Sequence, residues 1–165
     1  MFKRFLILIS CVAMNCLVLP ASAITDEQKN SIVDNCVRIS DNLKNIQKSD
    51  AKARIFLGSH YETVLSKYVM PLNIKMVEKN KSDTGLIGNQ NEIAEARVSF
   101  SNHFVDYQKG LEELVAMNCK VEPEKYYEKL VSVRDKRKTV ASDVQKIDKL
   151  MKKNLDLVKK LKESL

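Results

Sequence analysis

The chain has 165 residues, with 28 Lys+Arg against 21 Asp+Glu for a formal net charge of +7, and only four Gly and three Pro. That scarcity of breakers, with 44% hydrophobic residues, excludes a collagen-like, low-complexity or disordered chain and leaves helix formers to build a core. The basic balance favours acidic partners over basic ones.

Lys3 and Arg4 precede an apolar run from Phe5 to Leu19, followed by Pro20 and Ala21-Ser22-Ala23. A basic start, a short apolar core and a small-x-small site predict an export signal at residues 1–23, cleaved after Ala23. The run is short for a bilayer span, so a membrane role is expected only through an uncleaved signal segment. Leu8-Ile9-Ser10-Cys11 faintly matches a lipoprotein cleavage box but sits too early, with almost no apolar core before it. The chain that remains, 24–165, is of single-domain size and carries a net charge of +5. It is predicted to reside in the periplasm or cell envelope, or to be secreted.

Thr25-Asp26-Glu27-Gln28 reads as a capping box. It opens a first rod, expected over about 25–80, with the seam Ile32, Cys36, Ile39, Leu43, Ile46 and then Ala53, Leu57, Tyr61, Val64, Tyr68. The pattern turns polar at Ser49-Asp50, so the rod either continues there or bends softly. Gly58 is expected to mark a close helix contact, and Pro71 to kink the rod or split it into two helices. Residues 81–88 have turn chemistry in Asp83-Thr84-Gly85 and Gly88-Asn89. Asn89, with Glu92 three residues on, is predicted to cap a second rod over 89–118, whose seam is Ile93, Phe100, Phe104, Tyr107, Leu111, Leu114. Pro123 suits the first turn of a third rod over 123–165.

That third rod carries a heptad seam: Tyr126, Leu130, Val133, Arg137, Val140, Val144, Ile147, Met151, Asn154, Val158, Leu161, Leu165. Arg137 and Asn154 are its polar interruptions. They either fix register or snorkel to water. The predicted fold is all-α: an elongated antiparallel three-helix bundle with a coiled-coil-like C-terminal helix.

Cys36 and Cys119 remain after signal removal, and an even count in an oxidising compartment favours a disulfide over two buried thiols. Their midpoint falls between Val77 and Glu78, whereas turn chemistry places the hairpin apex nearer Gly85. The mismatch, about seven residues or roughly 10 Å of helix, must be absorbed by a bend.

Charge is segregated. Residues 24–122 hold 13 basic and 14 acidic residues, while 123–165 hold 13 basic and 7 acidic, a net of +6. Tyr127, Arg134, Lys136, Lys138, Lys152, Lys153, Lys159 and Lys160 are therefore the candidate partner-binding residues. An acidic protein or anionic envelope polymer is the expected partner, with nucleic acid disfavoured and a homo-oligomer as a further option. The competing reading is a solvated lysine-rich face with pairs such as Asp148/Lys152 and Asp156/Lys160. His60 and His103 lack metal-ligand spacing, and no phosphate loop, nucleophile elbow or loop-borne carboxylate pair is present. A non-enzymatic role with no metal and no cofactor is expected.

The stretch SDAKARIFLGSHYETVLSKYV (49–69), Asn118-Cys119-Lys120 and YYEKLVSVRDKRK (126–138), behind an export signal, resemble small exported helical proteins of ultrasmall, candidate-phyla-type bacteria. That resemblance implies no catalytic residues. Size, signal and basic helices are also similar to periplasmic holdase chaperones, although the strand-forming segment of their trimeric body has no counterpart here.

Overall fold

The computed structural model describes residues 24–163. The predicted export segment, its cleavage after Ala23 and the last seam position Leu165 lie outside the described residues. Among the described residues the chain is all-α, without a strand: α1 (Asp26–Asp34), α2 (Cys36–Val64), a π-helical segment (Leu65–Val69), α3 (Met70–Glu78), α4 (Thr84–Ala116) and α5 (Pro123–Glu163).

The Thr25 capping box forms as expected: its hydroxyl accepts from the Gln28 N–H at 3.2 Å, and the Gln28 side chain accepts from the Thr25 N–H at 3.0 Å. The first rod is interrupted at Asn35, not near Asp50, through which α2 runs unbroken. The Asn35 side-chain amide donates to the Ser31 carbonyl at 2.8 Å, a local bond that competes with the helical ladder.

Pro71 lies in the first turn of α3, directly after the π-helical segment. In a regular helix its ring would strike the carbonyl four residues back. The wider turn, in which the Met70 N–H reaches the Leu65 carbonyl, relieves that clash without ending the rod. The same widening corrects the predicted stripe. Leu65 and Val69 are buried, whereas Tyr68, assigned to the core from sequence, is exposed. Asn80 then closes the rod at φ 54°, with its N–H donating to the Val77 carbonyl and that of Lys81 to the Met76 carbonyl. These paired bonds around a left-handed residue are a Schellman stop.

The second rod begins five residues before the predicted Asn89 cap. Asp83 is the N-cap, its carboxylate accepting from the Leu86 N–H at 2.8 Å. Asn89 is instead buried inside α4, donating to the Leu150 carbonyl at 3.0 Å and Asn154 Oδ1 at 3.4 Å. Glu92 pairs with Lys153 at 2.9 Å rather than completing a box. Gly58 has open space where a Cβ would stand, so it marks no close contact. The tight approach is at Gly110, where an added Cβ would lie 3.3 Å from Val133 of α5.

The main core holds Ile32, Cys36, Leu43, Tyr61, Phe100, Phe104, Tyr107, Leu111, Leu114, Tyr126, Val133, Val140 and Ile147. Within it Tyr61, Phe100, Phe104 and Tyr107 form a chain of tilted and edge-on rings 5.7–6.0 Å apart. A second cluster, Leu65, Val69 and Ile93, meets the first at Leu150. α4 packs along both the first rod and α5, whereas the first rod's backbone comes near α5 chiefly at α1. Cys36 and Cys119 stand at disulfide distance, with Cα atoms 5.7 Å apart. Two local features narrow the register mismatch. The π segment packs more residues into a given rise, and α4 stops at Ala116, so Met117 continues in extended conformation and covers more length.

Candidate functional site

On α5 the heptad places Tyr126, Val133, Val140 and Ile147 in the core and turns the intervening residues outward. The two polar seam residues both find cross-rod partners. Asn154 accepts from Asn89. Arg137 donates through Nε and Nη2 to both oxygens of Asp50 at 2.8 and 2.9 Å, and the Tyr107 hydroxyl donates to the same carboxylate at 2.7 Å. Arg137 is held more firmly charged than usual, first by its hydrogen bond to Asp50. Burial, reinforced by Asp50, raises the Tyr107 hydroxyl pKa well above its ordinary value.

The predicted partner-binding residues separate into three groups. Tyr127 is half-buried and packs on the core, and Lys136 folds back to the Asp106 carbonyl at 3.4 Å. Lys138, Lys153 and Lys159 are exposed but paired, with Asp135 at 2.9 Å, Glu92 at 2.9 Å and Asp156 at 3.8 Å. Asp156 therefore meets Lys159, not the Lys160 of the expected pair. Arg134, Lys152 and Lys160 are exposed. Lys146 and Lys149, not singled out from sequence, are exposed on the same helix. Their signal was spacing: both fall opposite the seam.

Elsewhere on α5, Lys129 pairs with Glu113, and Lys29 of α1 reaches Glu124 at 2.5 Å. His103 Nδ1 lies 2.6 Å from Asp143, so that carboxylate turns toward α4. Among the described residues, no group of three or more His, Cys, Asp or Glu side chains is placed to hold a metal ion, and no helix is long and apolar enough to cross a membrane.

Between α2, α4 and α5 lies a cleft of about 350 Å³. Its walls are apolar, with Leu57, Phe100, Phe104, Val140 and Val144, and its charged lining is Arg54, Arg134, Arg137 and Lys138 against Asp50 alone. Arg54 lies over the Phe104 ring, 5.4 Å from its centroid, and donates to Gln108 at 3.2 Å. The backbones of α4 and α5 run close together, whereas α2 reaches α5 here through side chains such as the Asp50–Arg137 pair, and the cleft lies beside that pair. Sequence reading missed it, since its lining comes from three rods whose mutual register decides which side chains meet. No family model, curated protein or solved structure matches the chain.

Proposed function

We propose that this protein is an exported, non-enzymatic helical binding protein of the cell envelope, whose basic last helix contacts an acidic protein or an anionic envelope polymer. In this reading the three rods run antiparallel as one elongated bundle. The observation that carries it is the net charge of +6 on 123–165, with Arg134, Lys146, Lys149, Lys152 and Lys160 exposed on one helix. A concentrated cationic face attracts polyanions and releases their counterions on binding. The Cys36–Cys119 pair supports export, because disulfides persist in oxidising compartments.

The test is titration with poly-L-glutamate and dextran sulfate over a salt series. Binding is expected to weaken steeply with salt, and K149Q/K152Q/K160Q to lose roughly tenfold in affinity through lost contacts to carboxylate or sulfate groups. No binding at low salt overturns the reading.

A second reading, a holdase-like or self-associating coiled-coil protein, is favoured by one observation. The first rod exposes Ile55, Phe56, Tyr68, Ile74 and Val77, each more than half accessible. A strict monomer in solution that fails to slow aggregation of an unfolded client rules this out.

A further inference from the structure

We propose that the cleft between α2, α4 and α5 binds a small amphipathic anion, a single-chain carboxylate or similar, with its apolar body on the aromatic wall and its head at the basic mouth. This goes beyond polyanion binding, which needs neither an apolar wall nor a cavity.

Four observations point to that chemistry. First, the cleft's volume of about 350 Å³ falls within the usual range of small-ligand sites. Second, its wall is hydrocarbon. Leu57 and Val144 are only half-buried, so the site presents apolar surface that a ligand would take from water. Third, the single lining carboxylate is already occupied. Asp50 accepts from Arg137 on both oxygens and from the Tyr107 hydroxyl, which leaves little of it to repel an anionic head. Fourth, the cations differ in how firmly partners hold them. Arg54 is fixed over Phe104 by the Gln108 bond, and Arg137 is fixed on Asp50. Arg134 and Lys138, one helical turn apart on α5, stand exposed at the rim, with Lys138 on the surface residue Asp135. An anionic head can take Arg134 directly and draw Lys138 from a solvent-screened pair of small worth. A guanidinium beside an aromatic wall suits a carboxylate, which it grips with two parallel hydrogen bonds.

The charge pattern also selects against alternatives. A neutral chain would leave the basic mouth unmatched. A bilayer surface cannot enter a cleft walled by three helices, so the ligand is a free amphiphile.

Isothermal titration of the purified protein with decanoate, below its aggregation threshold, tests the site. Decanol and phosphatidylglycerol vesicles are the comparison arms. Decanoate is expected to bind one per chain and at least tenfold more tightly than decanol. R134Q/K138Q is expected to reduce decanoate affinity about tenfold while leaving decanol unchanged. Leu57→Ser is expected to weaken both amphiphiles, with its melting curve checked against the parent; Val144→Ser serves where Leu57→Ser unfolds. Equal affinity for decanoate and decanol overturns the proposal, as does vesicle binding without decanoate binding, or R134Q/K138Q without effect. K149Q/K152Q/K160Q, outside the cleft, separates the two readings. It is expected to weaken polyanion binding and leave decanoate binding intact.

Discussion

Asp50 satisfies two partners at once, and its removal leaves them unequally exposed. The Tyr107 side chain is buried, so without Asp50 its hydroxyl loses its acceptor inside the core, whereas Arg137 is half in water. D50A is therefore expected to cost about 2 kcal/mol, chiefly the price of a buried unpaired hydroxyl. R137Q should cost less than half of that, because its charge is solvent-screened. Urea midpoints of the two variants check the order. Tyr61 offers a second test. Burial lifts its pKa from 10.0 to about 12, and its hydroxyl finds no partner among the described residues. Because the folded value is the higher, this contribution is complete below about pH 10 and lost as pH climbs toward 12. Stability should therefore fall across that window, as urea midpoints measured at stepwise higher pH would show. Tyr61→Phe should flatten the fall and cost little near neutral pH, since the hydroxyl makes no bond to lose. In the sequence, Arg137 and Asn154 stood out as breaks in an apolar seam, whereas Asp50 and Asn89 stood out only as a polar break and a helix cap, not as their partners. Their pairing depends on how rods 87 and 65 residues apart are set side by side, and no local pattern encodes that.

Helices were legible wherever a long apolar period had no rival. The seam of α5 and the Ile93–Leu114 seam of α4 predicted the buried residues because packing, not propensity, holds such rods. The start of α4 was misplaced because two caps compete in 83–92, and the glycines at 85 and 88 resemble turn chemistry. Asp83 prevails because its helix carries Leu86 into the core, 1% exposed. Gly85 is tolerated there because a Cβ would sit 3.0 Å from the capping carboxylate and 3.5 Å from Leu157. Gly58 and Gly88 have no such neighbour. Gly58→Ala and Gly88→Ala are each expected to raise stability by up to about 1 kcal/mol, and Gly85→Ala to give no gain, as thermal melts would show. The π segment supports a sharper experiment. Deleting the exposed Ser66 should return the turn to α geometry and drive the Pro71 ring into the backbone, costing about 3 kcal/mol. In a Pro71→Ala background the same deletion should be nearly neutral. Equal cost in both backgrounds would mean that the wide turn answers to core packing and not to the proline.

At the scale of the whole molecule, α4 is the shared partner, and the first rod is the one that departs from α5. The cysteines pin that rod at the end where it does approach. Around them Tyr126 is buried and Lys29 bridges to Glu124. Elsewhere the rod's backbone leans on α4 and meets α5 through side chains, the Asp50–Arg137 pair among them, with the cleft beside it. Pairing of Cys36 with Cys119 was legible from an even count of cysteines behind a segment expected to be an export signal. The features that narrow the register difference were not: the turn falls at 79–83 instead of at Gly85, and a π turn and an extended Met117 arise from backbone accommodation and leave no composition signature. The bond closes a loop of 83 residues, so in the chain-entropy view it restricts the unfolded chain and stabilises the fold by about 4 kcal/mol. The C36S/C119S variant, or the reduced protein, is expected to keep its helical signal near neutral pH while its urea midpoint drops by that equivalent. Its denaturant slope should rise, because an uncrosslinked unfolded chain exposes more surface. The non-reduced chain should also weigh two hydrogens less than the reduced one. An unchanged midpoint with a confirmed mass difference would mean that the bond joins surfaces already fixed by Tyr126 and its neighbours. The loop-entropy account of this staple would then fail.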